Sequence, residues 1–169
     1  MSVYGRILLA GLGSLGLLLG ALAFQYIGGL DPCVMCIWQR WPHLAAVLIS
    51  VLAMTVMWRM RRPLAALGAL AVGISAAIGI YHVGVEQGLW TGPGTCSGGA
   101  NPAGLSTEDL LAQLESASLV RCDEVAWDFL GISMAGWNAI VSLGLGVLWV
   151  LAALSKTTTK HETRPEPSR

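Results

Sequence analysis

Arg59-Met60-Arg61-Arg62-Pro63 opens onto Leu64-Ala65-Ala66-Leu67-Gly68-Ala69-Leu70-Ala71-Val72-Gly73-Ile74-Ser75-Ala76-Ala77-Ile78-Gly79-Ile80-Tyr81-His82-Val83-Gly84-Val85, which ends at Glu86. The stretch 63–85 carries no formal charge and exceeds the ~20 residues a helix needs to cross ~30 Å of hydrocarbon. It reads as a membrane span. Arginines on one side and an acid on the other also give it a direction, because Lys and Arg concentrate on the cytoplasmic side of short-looped membrane proteins.

Outward from this span, the same pattern recurs at about 7–28, 41–58 and 131–155. Loops at about 29–40 and 86–130 then lie outside, and 156–169 reads as a disordered polar tail inside. The chain of 169 residues is 54% hydrophobic and 12% charged, whereas soluble domains carry roughly a quarter charged residues. The predicted fold class is an all-α membrane protein: a four-transmembrane-helix bundle over 1–155, with a short first and a long second outer loop. Ten Lys and Arg balance ten Asp and Glu and form no basic face, which excludes a nucleic-acid binder.

Arg6, Arg59, Arg61, Arg62, Lys156, Lys160, Arg164 and Arg169 all fall to one side, leaving only Arg40 and Arg121 opposite. Both termini are therefore expected in the cytoplasm. Tryptophan favours membrane interfaces, so Trp38, Trp41, Trp90 and Trp127 are assigned to the outer boundary, Trp58 and Trp149 to the inner one, and Trp137 to the interior of a span. Gly16 with Gly20, Ala69 with Gly73 and Ala77, and Ser142 with Gly146 are spaced for close helix packing. Arg6, the apolar run and Ala21-Leu22-Ala23 also mimic a cleavable signal. The run continues past that triplet, which favours retention as a helix.

The long loop begins with turn formers from Gly88 to Gly104, unsuited to helix or long strand. Beyond them Leu105, Ser106, Asp109 and Leu110 resemble a capped, stapled helix start. Leu110, Leu111 and Leu114 would then give it an apolar face for the membrane surface.

Cys33, Cys36, Cys96 and Cys122 all map outside, where disulfides persist. Two pairs suggest themselves, Cys33 with Cys36 and Cys96 with Cys122. A bridge enclosing two residues restricts the unfolded chain little, but that spacing suits thiol exchange. Asp31-Pro32 looks like a helix start, and a helix N-terminus lowers a thiol pKa. Arg40 lies one turn after Cys36 on the same face, where a guanidinium favours a thiolate or an anion beside it; an arginine snorkelling to headgroups has the same spacing. His82 falls at a similar depth, and ionisable groups in spans are functional candidates. His43 carries no assignment. Zinc is not expected, since Cys96 and Cys122 are singletons lacking the second close pair of a four-thiolate site.

Cys33-Val34-Met35-Cys36-Ile37-Trp38-Gln39-Arg40, Tyr81-His82-Val83-Gly84-Val85-Glu86, and Cys122-Asp123 leading to Trp127-Asp128-Phe129-Leu130-Gly131-Ile132-Ser133-Met134 resemble the bacterial disulfide bond formation protein B (DsbB) family. The resemblance covers nearly all of the chain except the tail. It implies a bacterial inner-membrane oxidoreductase, cysteines on the periplasmic side, that reoxidises a periplasmic thioredoxin-fold donor like DsbA and passes two electrons to ubiquinone or menaquinone, with no metal. It further implies that Cys96 meets the partner, Cys122 attacks Cys33, and Cys36 is released beside the quinone, which Arg40 positions. His82 and Met134 match the neighbourhood of the quinone pocket. Two other readings fit the sequence: a vitamin K epoxide reductase-like enzyme, whose motifs run in a different order, and a non-enzymatic tetraspan with disulfide-stapled loops, which gives no reason for two close cysteines beside Arg40.

Overall fold

The computed structural model describes residues 1–55, 58–93, 106, 108 and 120–155. Cys96, most of the Gly-rich arm, the stretch expected as a surface helix after Ser106 (which, with Glu108, is itself described) and the tail 156–169 lie outside the described residues. Among the described residues four long helices make up the body: α1 (Val3–Tyr26), α2 (Val34–Met54), α3 (Arg61–Glu86) and α4 (Met134–Ala153). Each is long and apolar enough to cross a membrane, and the chain is a multi-pass membrane protein.

The starts of α1, α2 and α4 are set by capping side chains. Ser2 Oγ accepts the Gly5 N–H at 3.1 Å and Ser133 Oγ accepts that of Gly136 at 3.2 Å, satisfying donors that have no intrahelical acceptor. For α2 the cap is a sulfur: Cys33 Sγ accepts the Cys36 N–H at 3.2 Å. This helix therefore opens at Val34, ahead of the charge-free stretch 41–58. Arg40 is accommodated inside it because its guanidinium reaches α1, donating to Gln25 Oε1 at 2.6 Å and to the Ala21 carbonyl at 3.4 Å. α2 also runs on through Pro42.

At the other end, arginines serve the helix C-termini, whose last carbonyls lack partners. Arg6 donates to the Leu151 carbonyl and Ser155 Oγ, Arg61 to the Ala53 carbonyl, and Arg62 to the Ala153 carbonyl. These bonds put the start of α1 beside the end of α4 and the start of α3 beside the end of α2. The helices alternate in direction and pack as a ring, α1 on α2 and α4, α3 on the same two.

Glycines allow close packing where α3 meets α4. A Cβ at Gly68 would lie 2.6 Å from the Trp149 ring, and one at Gly79 would lie 3.1 Å from the Ala135 carbonyl. Gly16, Gly20 and Gly73, which the sequence assigned to packing, face open space instead. Trp149, expected at the inner interface, is fully buried in the core with Ile7, Ala46, Leu64 and Val72. Gly68 leaves the room that the indole fills.

Ahead of α4, β1 (Asp128–Phe129) and β2 (Ile132–Ser133) form an antiparallel hairpin pairing Asp128 with Ser133 and Phe129 with Ile132. Its two turn residues, Leu130 and Gly131, have φ of 56° and 75°, as a type I′ connection requires. Nothing in the sequence pattern announced this hairpin, since leucine is a poor turn residue at positive φ. It fills the start of the stretch read as a span from 131 and leaves α4 to begin at Met134.

Candidate functional site

Cys33, at the N-terminus of α2, is 3% exposed, and its sulfur lies 2.9 Å from that of Cys36. Both are free thiols, while Cys122 is in a disulfide. Residues 120–127 fold over this end of the bundle and bury Cys122 completely. Cys33 Sγ, Cys122 Sγ and His82 Nε2 all lie within 4.8 Å of one another.

The Cys36 backbone N–H points at Cys33 Sγ, and His82 Nε2 approaches it at 3.6 Å. With two nitrogens facing one sulfur, the hydrogen shared between the thiols sits best on Cys36. That hydrogen bond, followed by the bond and charge of His82, holds the Cys33 thiol well below its ordinary value, against the opposing effect of burial.

His82 is oriented from both sides. Gln39 Nε2 lies 3.0 Å from His82 Nδ1, and Gln39 Oε1 accepts from Asn138 Nδ2 at 2.7 Å. The Gln39 nitrogen is therefore the donor, Nδ1 the acceptor, and the ring hydrogen is on Nε2, toward Cys33. Glu86 Oε1 is 3.9 Å from the same nitrogen, and Glu86 Oε2 accepts a hydrogen bond from Ser133, so the cap of α4 is tied to the redox pair. A metal ligand would need the Nε2 lone pair and a free Cys122 thiolate.

Cys36 faces a different space. A cavity of about 410 Å³ opens between α1, α2, α4 and the hairpin, with Cys36, Gln39, Arg40 and His43 on one wall, Met134, Trp137 and Asn138 on another, and Gly16 and Gly20 behind them. The two glycines are what leave this room. Trp127 and Phe129 complete the lining; Phe24, Trp127, Phe129 and Trp137 form a chain of ring contacts with centroids 4.9 to 6.3 Å apart. Trp137 Nε1 is anchored on the Phe129 carbonyl at 3.1 Å.

The structure thus brings together Cys33, Cys36, Cys122, Arg40, His82 and Met134. Arg40 and Met134 line the cavity beside Cys36, and both also line a smaller adjoining pocket together with Cys33, Cys36, His82 and Glu86. Cys96 lies outside the described residues. Gln39, Ser75, Asn138 and Glu86 were given no site role from the sequence, although polar side chains in or at the end of an apolar span are the signal that could have found them.

Comparison with known proteins gives a consistent picture. Residues 5–152 match the profile of a family described as disulfide bond formation protein DsbB. The chain is 37% identical over 149 residues to a disulfide bond formation protein B from Methylococcus capsulatus, covering 80% of this chain and 84% of that one. One from Albidiferax ferrireducens is 31% identical over 89% of this chain and 86% of its own length, and one from Shewanella amazonensis is 35% identical over 76% and 77% respectively. No solved structure matches significantly.

Proposed function

The chain belongs to the disulfide bond formation protein DsbB family, a disulfide-forming membrane oxidoreductase, and from that premise we propose that it reoxidises a periplasmic thioredoxin-fold donor of the DsbA type and delivers the two electrons to ubiquinone or menaquinone in the inner membrane. The observation that carries this reading is the placement of sulfurs. Cys33 is within 4.8 Å of Cys122 and 2.9 Å of Cys36, and Cys36 opens on an apolar cavity among the transmembrane helices.

Electrons enter when a partner thiolate breaks a bond between Cys96 and Cys122 by bonding to Cys96. The released Cys122 thiolate attacks Cys33, the Cys33–Cys36 bond breaks, and Cys36 leaves as a thiolate. The partner's second thiol then displaces Cys96, and Cys96 recloses on Cys122. The partner has gained a disulfide, and Cys33 and Cys36 hold two electrons and two protons as a dithiol. His82 Nε2–H faces Cys33 throughout and stabilises charge on that sulfur whenever it is a leaving group or nucleophile.

The cavity fits a quinone: its volume is in the usual range for a small-molecule site and its wall is mostly apolar with few polar groups. A quinone held there by these residues would take up the two electrons and two protons whose removal from the two thiols restores the Cys33–Cys36 disulfide. Arg40, one turn beyond Cys36, spends two of its five N–H donors on Gln25 and Ala21, which hold its guanidinium against the cavity. Met134 and the aromatic chain exclude water from the Cys36 side.

The test is turnover by the purified full chain with a reduced thioredoxin-fold donor. One quinone should be lost per donor disulfide formed, and Cys36→Ser should stop turnover while the protein stays folded and collects a Cys33–Cys122 bond. Undiminished turnover in that variant would overturn the relay.

A further inference from the structure

Reducing the Cys33–Cys36 disulfide to a dithiol takes two protons as well as two electrons, and Cys33, one of the sulfurs that must receive a proton, is only 3% exposed. His82 Nε2 faces it at 3.6 Å, but the ring cannot take a proton in at one nitrogen and release it at the other, because Nδ1 is held as an acceptor by Gln39 Nε2 at 3.0 Å. A proton that leaves Nε2 for Cys33 must be replaced at Nε2 itself. That calls for a second carrier on the same side of the ring.

Glu86 stands there. It lies one turn after His82 on α3, its side chain is 8% exposed, and its Oε1 is 3.9 Å from His82 Nε2. Its Oε2 accepts the hydrogen of Ser133, whose Oγ also accepts the Gly136 N–H, so a proton on the carboxyl belongs on Oε1, the oxygen facing the histidine. Closing that gap to a hydrogen bond takes a shift of about 1 Å, and such bonds are often long in the resting state. The carboxyl also joins two spaces. It lines the small pocket of about 50 Å³ walled by Cys33, Cys36 and His82, and it lines a groove of about 620 Å³ between α3, α4 and the hairpin; it is the one residue common to both walls. Asp128 shares the groove with it, and Asp31, Arg121 and Glu124 share the pocket.

We propose that Glu86 carries protons between the outer groove and Cys33, acting through His82. The inference rests on the sulfur relay proposed above. When Cys33 is a thiolate, Nε2 passes its hydrogen to the sulfur while Oε1 passes one to Nε2: an S–H and a new N–H bond form as the old N–H and the O–H bonds break. The ring ends neutral with Nδ1 still on Gln39, and the carboxylate recovers its proton from water in the groove. When the Cys33–Cys36 bond recloses, the same hydrogens run back.

Turnover of the purified full chain with a reduced thioredoxin-fold donor and a short-tailed ubiquinone tests this. Glu86→Gln keeps the shape and an oxygen for the Ser133 hydrogen but carries no acid proton. Its kcat should fall at least about tenfold, a positioned acid or base being worth about a hundredfold or more, with KM for donor and quinone unchanged. Glu86→Ala leaves a space open to the groove, where added acetate should restore kcat in proportion to its concentration and equal chloride should not, a rescue that a merely structural glutamate would not show. An undiminished kcat in Glu86→Gln, or a loss in Glu86→Ala that acetate leaves in place, overturns the proposal. Should neither variant fold, time-resolved infrared absorption of the unaltered chain in a single turnover decides: the carboxylic C=O band should dip and recover as Cys33 takes up its proton, and a band that never moves is the overturning result. An unaltered chain that reduces no quinone overturns the sulfur relay itself, a failure distinct from a relay that runs at full rate without Glu86.

Discussion

Cys33 is a helix cap and, in the proposed relay, a redox sulfur, and each role strengthens the other. The backbone N–H it accepts would otherwise be one of the unpaired donors at the start of α2, and accepting it favours negative charge on the sulfur. His82 adds a second donor, aimed there by Gln39. Since the hydrogen bond from the Cys36 thiol, and then these bonds, hold the Cys33 thiol below its ordinary value, its thiolate persists as pH falls through the usual thiol range near 8.5 and is lost only at lower pH. With Cys96 and Cys122 both replaced by serine, the thiolate absorbance of the reduced protein should begin to titrate well below that value. His82→Leu should then move this first midpoint upward, by about tenfold in the dissociation constant if one charge-assisted hydrogen bond is lost. A midpoint that stays where it was would show that His82 does not act on Cys33.

The bundle separates glycines that admit a neighbour from glycines that admit a ligand. Gly68 and Gly79 of α3 lie against Trp149 and the backbone of α4, whereas a side chain at Gly16 or Gly20 of α1 would project into open cavity. Gly68→Ala should therefore lower stability by about 1–3 kcal/mol through overpacking against a buried indole, seen as a lower midpoint in detergent unfolding. Gly20→Leu should leave that midpoint within about 0.5 kcal/mol yet weaken quinone binding at least tenfold, and tight binding in that variant would argue that the cavity is not the site. Small-residue spacing alone could not make this distinction, because the same pattern serves both uses and only the facing helix decides. Cys33, Cys36 and Arg40 were legible because their chemistry is local, within two turns of one helix. The polar line from Gln39 to Asn138 and His43 joins residues 95 to 99 positions apart, so no local spacing reveals it. The hairpin was hidden for another reason: Leu130 holds a positive φ that its type does not advertise.

Across the whole molecule, charge is distributed so that one set of residues fixes both orientation and closure. Arg6, Arg61 and Arg62 lie at the end opposite the cysteines and bond to carbonyls of helices to which they do not belong, so the cations that bias insertion also join α1 to α4, α2 to α3 and α3 to α4. At the cysteine end stand Glu86, Asp123, Glu124 and Asp128, with Arg121 paired to Asp123 through bonds of 2.6 and 3.0 Å. That separation was readable from the chain alone, because a cation count per loop needs no tertiary contact. In the proposed function the arginine end lies in the cytoplasm and the sulfurs outside, where a secreted donor would reach them. In a background without the native cysteines, Thr55→Cys at the close of α2 and Leu89→Cys just beyond α3 report on the two ends, both being exposed. A membrane-impermeant thiol reagent added to intact cells stripped of their outer membrane should label position 89 at once and position 55 only after the bilayer is opened. The reverse pattern would put Cys33 and Cys122 on the reducing side, where neither bridge would persist and an oxidising relay toward a membrane quinone would have no substrate to draw on.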